Sequence, residues 1–428
     1  MSSKRLVIIE GVRTPFCKMG TELARCPADE LGRMAVNALL TRTGLDPAII
    51  DEVIFGCVAQ PADAGNVARI IALRAGIPEH VPALTVHRNC ASGCEAFTLA
   101  QERMLAGRGS VFVVGGAESM SQVPLLFQQS AAEKFGRLAR SRSLPQKIKG
   151  LLSFRPSDFK PRIGLQLGLT DPVCGLNMGQ TAEVLAREFG ISRELQDAFA
   201  LESHTRAVAA REKLADEICP VYPDPKSGKA ITADNGPRKE QSMEALAKLR
   251  PVFDRHTGTV TAGNASQITD GAVALLVMTE EKAAQLGYHP IGALTGYAYA
   301  GCDPKRMGLG PVFAVARAEE STGLTLDQAD LVEINEAFAA QVLAVLKSLR
   351  SEEFSEKFLG RTRPLGKVEK DRLNVNGGAI ALGHPVGATG ARLILTSLKE
   401  LARRQAQRAL VTLCVGGGQG AAIWLERL

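Results

Sequence analysis

The chain has 428 residues, 45% of them hydrophobic and 22% charged, which asks for two or three domains and is an ordinary balance for a globular enzyme. It holds no run of about 18 apolar residues, which argues against a transmembrane helix, and its opening stretch has too short an apolar core for a signal peptide. The net charge of +6 is local, because residues 131–162 carry nine Lys/Arg against two Asp/Glu and leave the remainder close to neutral.

In chain order, Leu6–Ile9, Glu52–Gly56 and Val111–Val114 read as buried strands, and Leu31–Leu40, Asn66–Ala75 and Cys94–Leu105 as helices between them. That alternation predicts an α/β sheet covered by helices. From Ser121 to about Thr269 the character changes: the basic segment comes first, then helical patterns at Thr181–Phe189 and Ser192–Lys213, with Ser192 placed as an N-cap. The stretch Gly263–Val277 returns to an apolar strand. The late chain repeats the early theme. Cys90–Gly93 opens a helix that leads to the strand at Val111, and Gly383–Gly390 opens a helix through Leu401 that leads to the strand Leu410–Cys414. This order suggests an internal duplication, although any two βαβ units share some of it.

Nine cysteines with no repeated spacing, one of them necessarily unpaired, point to reduced thiols and a cytoplasmic setting. No His/Cys grouping has zinc-site spacing, so no metal and no resident cofactor are expected. Three blocks suit thiol chemistry. Cys90 lies in Asn89-Cys90-Ala91-Ser92-Gly93 at a helix start, where unpaired N–H groups and a partial positive charge should lower its pKa. His384, between a glycine and a proline, can take a thiol proton. Cys414 ends a strand and enters Val415-Gly416-Gly417-Gly418, where a thiol can act as acid or base for a carbon acid, and the N–H groups of Gly416 and Cys90 can hold a thioester oxygen. Asn335 could position a water, and Glu336 could orient His384 or a water. Each block also has a plain structural reading: a buried cysteine, a histidine in a turn, a small residue before a glycine turn, an asparagine cap.

Taken together, Asn89–Gly93, Asn335–Ala339, Gly383–Gly390 and Cys414–Gly420 resemble the thiolase family, over nearly the whole chain from Glu10-Gly-Val-Arg13-Thr14-Pro15 onward. The resemblance implies a fold of two duplicated βαβαβαββ halves in a layered αβαβα core with an inserted loop domain. The halves would be 1–120 with 269–291 and 292–428, and the insertion 121–268. It implies Cys90 as the acylated nucleophile, His384 as its base and Cys414 as the proton carrier. Asn335 with a water and His384 would form one oxyanion hole, and the N–H groups of Cys90 and Gly416 the other. Ala265 and Ser266 would lie along CoA, and Met178 and Phe338 along the acyl chain.

Asn177 stands where many short-chain biosynthetic thiolases have histidine. The basic insertion and Glu353–Arg361 resemble the β-subunits of fatty-acid oxidation complexes, although those can carry histidine where this chain has Asn335. A degradative 3-ketoacyl-CoA thiolase is therefore expected, with an acetyl-CoA acetyltransferase as the alternative. More remote readings are a ketoacyl synthase-like enzyme and a non-catalytic lipid-transfer or scaffold relative. Expected partners are acyl-CoA and CoA, a second copy of the chain in a homodimer or tetramer, and a hydratase/dehydrogenase α-subunit. The segment 131–162 interleaves its charges with Phe and Leu, which suits an anionic membrane, a partner subunit or the CoA phosphates. No recognition fold accompanies the charge, so nucleic acid is not expected.

Overall fold

The computed structural model describes residues 5–428. In chain order the main elements are β1 (Leu6–Arg13), α1 (Ala28–Thr43), β2 (Glu52–Gly56), α2 (Val67–Arg74), β3 (Ala83–Val86), α3 (Ser92–Leu105) and β4 (Val111–Glu118). Next come α4 (Gln129–Arg140), α5 (Leu144–Leu152), α6 (Met178–Glu188), α7 (Arg193–Ala209) and β5 (Thr269–Thr279). The chain ends with β6 (Gly292–Gly301), α8 (Gly310–Thr322), β7 (Leu331–Ile334), α9 (Ala339–Leu349), α10 (Val386–Arg404), β8 (Arg408–Val415) and β9 (Gln419–Glu426).

The strands run β7-β8-β9-β6-β1-β5-β4-β2-β3, and a two-residue strand at Cys17–Lys18 pairs with β5. The duplication is visible in the pairing. β2 lies parallel to β4 as β7 does to β8. β4 lies antiparallel to β5 as β8 does to β9, and β5 lies antiparallel to β1 as β9 does to β6. The two half-sheets meet where Val7 and Ile8 pair with Ala293 and Gly292.

Side-chain alternation builds the layers. On β5, Ala274, Leu276 and Met278 face α1 and α2, while Val273, Leu275 and Val277 face α3 and α10. On the other half-sheet, Leu413 and Ile423 face α10, while Leu410 and Trp424 face α8 and α9. The order is therefore α1/α2, sheet, α3/α10, sheet, α8/α9, the expected αβαβα stack. The central helices touch through glycine. A Cβ on Gly93 would lie 2.6 Å from Ala391 N, and one on Gly390 would lie 2.5 Å from Cys94 N, so any larger residue would push the helices apart.

Most elements fall where the pattern placed them, and the differences have local causes. β1 continues past Ile9 to Arg13 because buried ion pairs hold the Arg13 guanidinium on Glu217 and Asp234 at 3.1 and 2.7 Å. Ser192 does cap α7, accepting from Leu195 N at 3.3 Å, but that helix breaks at Ala210 before a short second piece, Arg211–Ala215. The stretch from Gly263 becomes strand only at Thr269.

The chain separates into two compact units, Met1–Gln122 with Asp171–Leu428, and Val123–Thr170. The smaller unit closes on itself through an antiparallel pair, Leu125–Leu126 with Arg162–Ile163. Phe135 sits within 4.7–6.4 Å of the rings of Phe127, Phe154 and Phe159. Lys134 pairs with Asp158 at 2.6 Å. No helix of the described residues is long and apolar enough to cross a membrane.

Candidate active site

The reactive groups gather at the ends of parallel strands, the usual place for a site in an α/β sheet. Cys90 follows the end of β3, Asn335 follows β7 and Cys414 is near the end of β8.

Asn89 takes a left-handed conformation (φ 42°), which asparagine tolerates better than most residues. The resulting turn is locked by Ser92 Oγ, which accepts from Arg88 N at 2.9 Å and donates to Asn89 O at 2.7 Å. Cys90 is thereby placed just before α3. Asn89 Nδ2 donates to Gly416 O at 2.8 Å and ties the Cys90 turn to the glycine loop of the other half. The backbone N–H groups of Gly416 and of Cys90 itself face the Cys90 sulfur and favour its charged form.

The expectation of a lowered Cys90 pKa is not met. Burial raises it above the ordinary thiol value, outweighing the two N–H donors. The Cys414 thiol is buried and held well above the usual range, first by desolvation and then by the neighbouring Cys90 and Cys302 thiols. Neither sulfur rests as a thiolate, so a base is needed to form one.

His384 is a fitting base. Its backbone N–H donates to Gln267 O at 3.0 Å, and its Nδ1 lies 2.6 Å from Thr389 Oγ. Its Nε2 is buried without a protein partner. Burial, with a smaller contribution from the Arg392 charge, brings its pKa down to about 4, so the ring is neutral near pH 7. Asn335 is buried at 1% exposure, its backbone bonds to Thr412 O at 3.0 Å, and both side-chain polar atoms lack a protein partner. A helix cap would use that oxygen, so the capping reading of Asn335 does not apply. Buried amide atoms left open carry a desolvation cost that a water or substrate oxygen would relieve.

Glu336 was expected to orient His384 or a water, and His384 is not among its hydrogen-bond partners. Its oxygens accept from Ser203 Oγ at 2.6 Å, Asn374 Nδ2 at 2.8 Å and Ile380 N at 3.2 Å, so it braces the 374–380 loop. The substrate-side residues do come together. Ser266 N donates to Ala337 O at 2.9 Å, and Ala265 bridges to Phe338. Ala265, Phe338 and Cys414 share one apolar cluster, with Met178 packed against it. A Cβ on Gly416 would lie 3.3 Å from the Met178 sulfur, so Met178 also borders the glycine loop.

Sequence reasoning missed three residues. Gln267 Nε2 donates to Ile380 O and Ala381 O at 3.0 and 3.1 Å and so supports the turn before His384. Asn374 brackets the end of β7 through Ile334 N at 2.8 Å and Ile334 O at 2.9 Å. Glu118 is buried and accepts from Val58 N, Ala59 N and Gly387 N at 3.1, 2.8 and 2.8 Å, joining the N-terminal half to the His384 loop. Its only sequence signal was a carboxylate at the end of a wholly apolar strand.

With this geometry in place, the likeness to known proteins is unambiguous. The family profile described as Thiolase, N-terminal domain matches residues 6–281, and that described as Thiolase, C-terminal domain matches residues 288–427. The chain belongs to the thiolase family. It is 42% identical over 425 residues to the 3-ketoacyl-CoA thiolase of Yersinia enterocolitica, covering 99% of this chain and 97% of that one. It is 40% identical over 428 residues to the 3-ketoacyl-CoA thiolase of Vibrio cholerae, covering 99% and 98%.

Among solved structures, the Bacillus anthracis acetyl-CoA acetyltransferase matches this thiolase with a TM-score of 0.85 at 37% identity, over 99% of both chains. The human mitochondrial 3-ketoacyl-CoA thiolase in complex with CoA also matches with a TM-score of 0.85, at 35% identity over 99% of this chain and 98% of that one. Thiolases are acyltransferases, and the thiol, imidazole and amide groups described above are the chemistry that acyl transfer requires.

Proposed function

We propose that this thiolase cleaves 3-ketoacyl-CoA with free CoA, releasing acetyl-CoA and an acyl-CoA shortened by two carbons, in the β-oxidation of fatty acids. The observation that carries the reading is the pair of N–H groups, from Cys90 and Gly416, that face the Cys90 sulfur beside a second thiol, Cys414. Such donors can hold the oxygen of a thioester formed on that sulfur. Full-length relatives at 40–42% identity bear the corresponding name.

In this mechanism Nε2 of His384 takes the Cys90 proton as the sulfur attacks the 3-keto carbon. The resulting oxyanion is held by the N–H groups of Cys90 and Gly416, while Asn335, through a water, and His384 hold the thioester oxygen of the departing acetyl-CoA. The C2–C3 bond then breaks, the acyl group stays on Cys90, and Cys414 gives its proton to the carbanion of the departing acetyl-CoA. The proton on His384 passes to the Cys414 thiolate, His384 then takes the proton of the entering CoA, and the CoA sulfur displaces Cys90 from the acyl group, the Cys90 sulfur regaining a proton from His384. Ala265 and Ser266 lie along the CoA arm, and Met178 and Phe338 along the acyl chain. Glu336 acts as a brace for the 374–380 loop. CoA is a substrate here, and no metal takes part.

A second reading, acetyl-CoA acetyltransferase, is favoured by the structural match to the Bacillus anthracis enzyme. Cleavage rates with 3-ketoacyl-CoAs from acetoacetyl to 3-ketohexadecanoyl separate the two. Rates that hold or rise with length support the degradative reading, and activity confined to acetoacetyl-CoA overturns it.

The reading extends to the domain organisation, with thiolase halves at 1–120 with 269–291 and at 292–428 and the insertion at 121–268. It includes a homodimer or tetramer, joined by a hydratase/dehydrogenase subunit in a wider assembly. Nine unpaired cysteines fit a reducing, cytoplasmic setting. The mass of the purified chain in solution, alone and mixed with such a subunit, tests the assembly.

A further inference from the structure

α10 carries a buried polar row into the apolar middle layer. Thr389, Arg392 and Thr396 follow one another at i, i+3 and i+7, so they lie on one face of the helix. Thr389 bonds to the His384 ring, and Thr396 donates to Glu217 at 2.9 Å. Arg392, between them, is 1% exposed, and among the described residues none of its three guanidinium nitrogens has a hydrogen-bond partner. Its one ion-pair partner among those residues is the buried Glu333, with Oε2 3.6 Å from Nη1. Glu333 stands on β7 two residues before Asn335. Along this strand Leu331 faces α10, while Val332 and Ile334 face α8 and α9, so alternation puts Glu333 and Asn335 together on the α10 side. The pair therefore joins α10 to β7 one helical turn beyond Thr389 and one alternate position before Asn335.

Stability does not account for such a pair. A guanidinium cannot shed its charge, so its burial has a cost that the pairing must offset. Burial pushes the Glu333 carboxyl up, and Arg392 pulls it back against Glu336, Glu217 and Glu400. At 3.6 Å the two side chains do not share a direct hydrogen bond, and water is the partner that suits both. Two apolar side chains of similar volume would fill this layer without those costs. The charges around the pair have partners of their own: Arg13 on β1 pairs with Glu217, Glu336 accepts from Ser203, and Glu400 pairs with Arg404. Arg392 alone among charged groups adds to burial in bringing the His384 pKa down. The location of the pair, directly behind His384 and Asn335, is what distinguishes it.

We propose that Arg392 and Glu333 are positioning residues for acyl transfer, which fix the spacing of α10 and β7 through bridging water and so hold His384 Nε2 and the Asn335 amide on one substrate oxygen. The Arg392 charge also disfavours the imidazolium form of His384, which keeps the ring available as a base. The inference rests on the roles given above to His384 and Asn335, and it holds for either acyl-length preference.

The test is the double variant Arg392→Met/Glu333→Leu of the full chain, assayed for CoA-dependent cleavage of acetoacetyl-CoA. With both charges gone none is stranded, so the variant should unfold near the parent temperature. It should keep the parent KM and lose about tenfold or more in kcat, because a small misplacement of positioned groups costs that much. Loss of the Arg392 charge raises the His384 pKa, so kcat/KM at pH 5 relative to pH 7.5 should fall about twofold or more. Arg392→Lys keeps the charge but not the planar span of the guanidinium. It should lower kcat at an unchanged pH 5 to pH 7.5 ratio, and it decides the matter where the double variant does not fold. A stable double variant with the parent kcat and the parent ratio overturns the proposal and leaves the pair a packing feature. An Arg392→Lys enzyme with the parent kcat overturns it as well. Failure of the parent chain itself to cleave acetoacetyl-CoA would overturn the catalytic reading and this inference with it, whereas parent turnover beside an indifferent variant removes the inference alone.

Discussion

Thr389 sets the tautomer of His384. The Thr389 hydroxyl donates to Pro385 O at 2.9 Å, so the lone pair it turns toward His384 Nδ1, at 2.6 Å, can only accept. Nδ1 therefore carries the ring proton, and Nε2 is left as the open base. The threonine sits on the first turn of α10, so the helix start that positions the loop also fixes the protonation of its histidine. Thr389→Val keeps the shape but removes the acceptor. It should lower kcat roughly ten- to hundredfold with little change in KM, because general-base catalysis is worth at least that much. Thr389→Ser should restore most of the rate. A Thr389→Val enzyme with parent kcat would show that the tautomer is set elsewhere.

The low pKa of His384 has a consequence for stability against pH. His384 and His204 are both brought down to about 4 in the folded chain, chiefly by burial, against an ordinary value of 6.5. Between these values the unfolded chain binds more protons than the folded one, so stability falls as pH drops from 6.5 toward 4. Denaturant unfolding at pH 7 and pH 5 should show this loss. It should be smaller in His204→Gln, where one of the two buried imidazoles is gone. An equal pH dependence in that variant and the parent would refute the assignment for His204.

The two thiols should separate by reaction step. Cys90 carries the acyl group, whereas Cys414 handles only the proton on carbon. Cys414→Ala should therefore lose about a hundredfold or more in carbon–carbon cleavage, the range for removing a general acid. It should still exchange radiolabelled CoA into an acyl-CoA through Cys90 at a readily measured rate. Cys90→Ala should lose both activities. Loss of exchange and cleavage in equal measure on Cys414→Ala would mean that Cys414 also activates Cys90.

The parts of this protein that local chemistry determines were readable from its sequence. Glu52–Gly56 is a strand with the expected ends because the apolar, β-favouring run Val53-Ile54-Phe55 lies between the charged Asp51-Glu52 pair and Gly56. Ser192 caps a helix because capping needs only a side-chain oxygen and the next three residues. The paired half-sheets were foreshadowed by the repeated order of loop, helix and strand. What could not be read was chemistry that depends on distant chain segments. The Cys90 pKa was misjudged because a helix start is a local feature, while the burial that outweighs it comes from the whole fold. Glu336 looked free to reach His384, yet its partner Ser203 lies 133 residues away in sequence. Gln267 lay just beyond Ala265 and Ser266 and carried no signal of its own.

Glu118 is the most consequential of these hidden contacts. Its carboxylate spans 269 residues of sequence to reach Gly387 N, while also holding Val58 N and Ala59 N. Burial raises its pKa, and the backbone donors offset part of that rise. Replacing it with alanine would leave the buried Gly387 N–H without an acceptor, at a cost of about 1–3 kcal/mol, and free the part-buried N–H groups of Val58 and Ala59 as well. Glu118→Ala should therefore unfold at a clearly lower temperature. Glu118→Gln keeps one acceptor oxygen and should fall between the parent and Glu118→Ala. Because Gly387 follows His384 by three residues, Glu118→Gln should also lower kcat more than it raises KM. A Glu118→Gln enzyme that is destabilised but turns over at the parent rate would confine the clamp to folding and leave the placement of His384 to Thr389 and Gln267.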